Sequence, residues 1–260
     1  MKKYNVIIPT EIGAFIANRN DLGVGWQLSE YGAYDRVEME FLKALLGFLR
    51  TDRSDLIVID VGANIGMHSV MFSPQVGPNG KVFAFEAQRI VFNMLAGNMA
   101  LNSITNVYCF NHAVSDDDGF IDIPQFDYSK PLNIGSVEFG ATQNEPIGQD
   151  RIIDEAHQEQ VMAVSLDGCG FDHVDLIKID VEGMELKVLE GAKALIARCK
   201  PLLLVEHLKS NSLALQGWLQ EAGYTLYSGV GANYVCLPEA LEVKIGPNMG
   251  NLTRLDRRTQ

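Results

Sequence analysis

Four acids each close an apolar run in this chain: Asp60 in Ile57-Val58-Ile59-Asp60, Glu86 after Lys81–Phe85, Asp180 in Val174–Asp180, and Glu206 in Pro201–Glu206. Short apolar runs bounded by turn residues read as strands. The acids therefore sit at strand carboxyl ends, the edge at which open α/β sheets bind ligands. Asp60 leads into Val61-Gly62-Ala63-Asn64-Ile65-Gly66. Gly62 can take a tight turn and Gly66 lets a helix approach the strand, while Asn64 tolerates left-handed backbone angles. A dinucleotide turn has a glycine where Asn64 stands, so that the backbone can meet a pyrophosphate. The Asn64 side chain crowds a diphosphate and Asp60 repels one. An adenosine cofactor without a diphosphate fits better, and the sulfonium and α-ammonium of S-adenosylmethionine suit a negative neighbour. Glu86 can accept two hydrogen bonds from a ribose diol. His68, two residues past Gly66, reaches toward the amino-acid end of such a cofactor.

Methylation of a hydroxyl is an in-line displacement in which the acceptor oxygen loses its proton, so a positioned base is useful. Asp180 is the first candidate for that base or for orienting the acceptor. His207, directly after Glu206, is the alternative base, with Glu206 beside it. Glu182 opens the following helix and is expected on the substrate side. A divalent ion held by Asp180, Glu182 and Glu206 would lower the acceptor's pKa instead, but the sequence carries no full ligand set and no metal is expected.

These residues need a frame. Val37, Phe41, Ala44, Leu45 and Phe48 recur at helical spacing, and Phe92, Leu95 and Met99 give a later helix one apolar face. Met184, Val188, Ala192 and Leu195 do the same for the helix after Asp180. Asn106–Val114 reads as a third strand. Tyr224–Tyr227 and Tyr234–Leu237 are too close for a crossover helix, so they pair antiparallel. Residues 115–160 break the rhythm, with strand patterns at Phe120–Ile123 and Ile134–Phe139 that suggest a hairpin or lid. The expectation is an α/β open sheet, mostly parallel with a late antiparallel strand, plus a β-hairpin or lid insertion. Residues 1–50 form an N-terminal segment and helix on the core, 51–245 the core with its insertion at 117–160, and 246–260 a flexible tail.

The 260 residues carry 47% hydrophobic and 21% charged side chains, ordinary for a globular protein. A formal net charge of −12 disfavours nucleic acid and anionic membrane surfaces as partners. The four cysteines are scattered without a C-x-x-C pair, so a zinc ribbon or redox dithiol is not expected. With no leader and no membrane-length apolar run, the expected location is the cytoplasm. Homo-oligomerisation is left open.

The motifs together resemble the FkbM-type methyltransferases: Asp60–Gly66, Phe85-Glu86, Ala113-Val114-Ser115-Asp116, Ile177–Glu185 and Val188–Ala192, from about Tyr34 to Glu206. The resemblance implies a Rossmann-like sheet and S-adenosylmethionine as cofactor. It implies a small-molecule or carbohydrate acceptor, commonly the hydroxyl of a sugar or polyketide. It also implies that Gly62, Asn64, Gly66 and Glu86 line the cofactor site and that His112, Ala113 and Val114 pass near the adenine. Asn133 and Ser136 belong to an Asn-x-Gly element expected to close over the cofactor tail or the acceptor. One departure is Ala87, where the family usually has proline after the acid. Two alternatives remain at this level: a nicotinamide-dependent oxidoreductase and a non-catalytic adenosyl-binding protein.

Overall fold

The computed structural model describes residues 3–51, 53–139, 143–152, 159–245 and 252–255. In chain order the elements are β1 (Asn5–Thr10), β2 (Gly13–Asn18), α1 (Val24–Tyr31), α2 (Arg36–Leu49), β3 (Ile57–Val61) and α3 (Met67–Gln75). There follow β4 (Lys81–Phe85), α4 (Arg89–Leu101), β5 (Val107–Phe110), β6 (His112–Val114), β7 (Gly119–Ile123) and β8 (Glu159–Val164). The rest are β9 (Leu176–Ile179), α5 (Glu185–Glu190), α6 (Lys193–Cys199), β10 (Leu202–Glu206), α7 (Ser212–Glu221), β11 (Tyr224–Val230), β12 (Asn233–Pro238), α8 (Glu239–Ile245) and β13 (Thr253–Leu255).

The main sheet runs β13-β11-β12-β10-β9-β3-β4-β5. Its β10, β9, β3, β4 and β5 are parallel, while β12, β11 and β13 add antiparallel pairings. The chain moves outward from β3 through β4 to β5, then returns to β9 on the other side of β3. The switch point therefore lies between β3 and β9. Alternation along β3 sends Val58 into the hydrophobic layer shared with α2, α3 and α4, and Ile59 and Val61 into the layer shared with α5, α6 and α7. Burial on both faces explains why these strands read as continuous apolar runs.

Several expectations need correction. The run Asn106–Val114 is two strands in two sheets. It breaks at Asn111, whose Nδ2 donates to the Glu86 and Ala87 carbonyls, and β6 then pairs with β8. The insertion is not a hairpin of Phe120–Ile123 with Ile134–Phe139. Instead β7 pairs antiparallel with β8, and Ile134–Ser136 is a 3-10 turn. The helix after Asp180 is two helices, α5 ending at Glu190 and α6 starting at Lys193; Gly191 between them has the Ser115 carbonyl oxygen only 1.9 Å from where a Cβ would stand. In α2 the buried face is Met39, Leu42, Leu45 and Leu46, while Val37 is 72% exposed. Of the supposed tail, Thr253–Leu255 forms the edge strand β13 on β11; residues 246–251 and 256–260 lie outside the described residues. No helix among the described residues is long and apolar enough to cross a membrane.

Candidate active site

The parallel strands bring the glycine turn and the acids to one edge. Gly62 follows β3 at φ +77°, and a Cβ there would sit 1.8 Å from the Asp180 carbonyl oxygen. Only glycine permits β3 and β9 to end so close together. The Gly62 and Ala63 amides both donate to the Phe85 carbonyl. Asn64 takes φ 51°, with its Oδ1 accepting from the Ile65 amide at 2.7 Å. Gly66 packs under α4, where a Cβ would meet Leu95 and Met99 at 2.7 and 2.8 Å.

Glu86 joins two turns. Its Oε2 accepts the Asn64 amide at 2.9 Å, and its Oε1 accepts the Gln88 amide at 2.8 Å. Burial pushes its carboxyl up to about 7, against the pull of these two hydrogen bonds.

A cavity of about 260 Å3 opens beside this turn. Gly62, Asn64, His68, Glu86, Ala113, Val114, Asn133, Ser136, Asp180 and Glu182 all line it. Its far wall comes from the N-terminal segment through Gly23, Val24, Gln27 and Tyr34. Buried Asp21 fastens that wall: its Oδ1 accepts the Gly23 and Ile134 amides at 3.1 Å each, and its Oδ2 accepts the Gly25 amide at 2.7 Å. One carboxylate thus ties the start of α1 to the 3-10 turn.

Four of the expected residues do not line the cavity. Asp60 is fully buried beneath the turn, where the Ser69 hydroxyl donates to it at 2.6 Å. Its place in the strand alternation turns it toward α3 and away from the cavity. Gly66 serves helix packing. Glu206 is buried with its Oε1 accepting from the Leu208 amide, and His207 stacks on Tyr234 with ring centroids 4.3 Å apart. Glu206 ends β10 and His207 follows it, one strand further from the switch point than Asp180. The trio Asp180, Glu182 and Glu206 therefore does not converge within the cavity.

Lys178, a residue that the strand-end pattern does not single out, is a central group of the site. It is 2% exposed, lines the cavity, and donates to Asp180 Oδ2 at 3.0 Å. It sits in register with Asp60 across β3 and β9. Burial would lower its pKa, but the charges of Asp180, Asp60 and Glu38 outweigh this and raise it. His68 Nε2 lies 2.8 Å from Glu38 Oε1, and Asn233 Nδ2 donates to Glu38 Oε2 at 2.7 Å. A lone lysine in the apolar run Leu176-Ile177-Lys178-Ile179 was the available signal, since a lysine buried in a sheet requires carboxylate partners.

An open parallel sheet, a glycine-bearing turn and acids astride the switch point define the Rossmann-like α/β class found in class I methyltransferases. The chain belongs to the methyltransferase FkbM domain family, whose model matches residues 60–226. It is 29% identical over 152 residues to "Methyltransferase 1" of Beauveria bassiana, covering 53% of this chain and 58% of that protein. It is 26% identical over 163 residues to "Methyltransferase sdnD" of Sordaria araneosa, covering 53% of this chain and 61% of that protein. This chain thus spans about three fifths of the length of these curated relatives. The solved structure of a methyltransferase FkbM from Methylobacillus flagellatus KT aligns with a TM-score of 0.47 at 18% identity, covering 70% of this chain and 42% of that one.

Proposed function

We propose that this chain transfers a methyl group from S-adenosylmethionine to a hydroxyl of an uncharged sugar-like or small natural-product acceptor. The observation that carries the reading is the cavity at the switch point, with Glu86 on one side of the glycine turn and Asp180 on the other. The residues suit the cofactor. Glu86 keeps lone pairs for a ribose diol beyond its two backbone contacts. Among the described residues, the one lysine of the lining is bonded to Asp180 and no arginine lines the cavity, so no unpaired cation there awaits a pyrophosphate. Ala113 and Val114 offer an apolar surface to an adenine. His68 and the Gly62–Asn64 turn would hold the amino-acid end.

When bound, the cofactor supplies an electrophilic methyl group. The protein supplies orientation, which accounts for much of the rate in such a displacement. Asp180, fixed by Lys178, would orient the acceptor hydroxyl, and Asn133 and Ser136 would close over it. The carboxylates Glu86, Asp180 and Glu182 in one lining, on a chain of net charge −12, oppose an anionic acceptor.

The test is a thermal shift with S-adenosylhomocysteine and with NAD, since stabilisation tracks ligand concentration over Kd. S-Adenosylhomocysteine should raise Tm and NAD should not. A shift with NAD alone would overturn the methyltransferase reading. Binding of S-adenosylhomocysteine without turnover of S-adenosylmethionine on any hydroxylated acceptor would favour a non-catalytic adenosyl-binding protein.

A further inference from the structure

Glu182 is held more firmly than a helix-terminal acid needs to be. Its backbone is left-handed at φ 56°, an unfavourable state for a residue with a side chain. Glu185, with no exposed surface, pins the loop from beneath: its Oε1 accepts the Val181 amide at 3.2 Å and the Gly183 amide at 3.1 Å. The Ser210 hydroxyl donates to the other oxygen of Glu185. Lys209, three residues past β10 and 7% exposed at its side chain, fixes the Glu182 side chain with Nζ 2.8 Å from Oε2. The same Nζ donates to the Ser136 carbonyl at 2.9 Å and lies 3.7 Å from both Glu138 Oε1 and Glu145 Oε2. One buried ammonium therefore connects two cavity-lining elements, the loop after β9 and the 3-10 turn of the insertion.

We propose that Glu182 is the proton acceptor of the transfer and that Lys209 is the positioning residue that holds it over the cavity. The inference rests on the methyltransferase reading above. The acceptor oxygen forms its bond to the methyl carbon as the carbon–sulfur pair returns to sulfur, and the hydroxyl proton passes to the Glu182 carboxylate. The products are a methyl ether, a neutral thioether and a protonated Glu182, which returns its proton to solvent. His207 and Glu206 do not reach the cavity, and Glu86 is committed to two amides on the cofactor side. Asp180, fixed by Lys178, keeps the role of orienting the acceptor hydroxyl. The charged groups that face Glu182 are Lys209, Asp180, Glu185 and Glu206, and Glu138 and Glu145 approach the same Lys209 ammonium. Burial pushes its carboxyl up to about 7, with Lys209 pulling down and Asp180 and Glu185 pushing up, a value suited to taking a proton near neutral pH.

Two measurements test this on the whole chain. The first is a 13C carboxyl titration in the S-adenosylhomocysteine complex, with Glu182 assigned by its loss in Glu182→Gln. Its midpoint should rise in Lys209→Met and return in Lys209→Arg. An unmoved midpoint overturns the positioning role of Lys209. The second is the rate of S-adenosylhomocysteine release with a panel of methyl hexopyranosides as acceptors. Glu182→Gln should lower kcat by about 100-fold or more, with affinity for S-adenosylhomocysteine unchanged. The acid limb of the wild-type pH profile should follow the Glu182 titration and move upward in Lys209→Met. A limb that vanishes in Asp180→Asn while persisting in Glu182→Gln overturns the assignment. Wild type failing on every glycoside counts against the acceptor class proposed above, and the carboxyl titration still decides the Lys209–Glu182 coupling.

Discussion

Glu86 holds Asn64 by its backbone: the carboxylate Oε2 accepts the Asn64 amide at 2.9 Å across the gap between the β3 turn and the end of β4. The acid expected to read the ribose thus also shapes the glycine-bearing turn that lines the cavity. Glu86→Ala should weaken S-adenosylhomocysteine binding by about 10- to 100-fold, as expected for losing charge-assisted hydrogen bonds. Calorimetric titration checks this, and an unchanged Kd would remove Glu86 from the site.

The cofactor-free protein should lose stability as pH rises from about 4.5 to 8. Burial raises Glu86 and Glu182 from 4.5 to about 7, and Glu206 from 4.5 to about 8. Between those values the folded protein holds more protons than the unfolded chain, so the unfolding free energy falls with pH. Urea unfolding at pH 5 and pH 8 should show the drop, and Glu206→Gln should flatten the slope. A protein equally stable at both would contradict the burial of these acids.

The two glycines of the turn should differ in tolerance. Gly62→Ala drives a Cβ into the Asp180 carbonyl, which is backbone and cannot step aside. That should cost about 3 kcal/mol or more and abolish cofactor binding. At Gly66 the obstacles are the ends of the Leu95 and Met99 side chains, which can shift. Gly66→Ala should be the milder variant, although its φ of +90° still carries strain. Melting curves of both would rank them, and the reverse order would refute the argument.

His207→Ala should leave affinity for S-adenosylhomocysteine and the rate of transfer near wild type, because the imidazole stacks on Tyr234 outside the cavity. A large fall in kcat with an intact fold would restore His207 as a base.

The alternation of apolar runs with helical patterns is local, so the chain order of the elements and the turn at Gly62–Gly66 are legible in the sequence. The positions of Glu86 and Asp180 at strand ends follow from the same pattern. Strand partnership is not local. Whether Val107–Phe110 and His112–Val114 share one sheet depends on Asn111 meeting the Glu86 and Ala87 carbonyls, and on the arrival of β8 some fifty residues later.

The type of fold, the family and the glycine-bearing turn at Gly62–Gly66 are written in short-range spacing and residue chemistry. Which acids face the cavity depends on long-range packing. Side chains along a strand alternate between two layers, and neighbouring strands end at different distances from the switch point. Asp60 therefore falls beneath the turn, Glu206 and His207 fall outside the cavity, and Asp180 and Glu182 enter it. The two lysines that hold those last acids, Lys178 from the same strand segment and Lys209 from the far end of β10, became visible only when packing enclosed them.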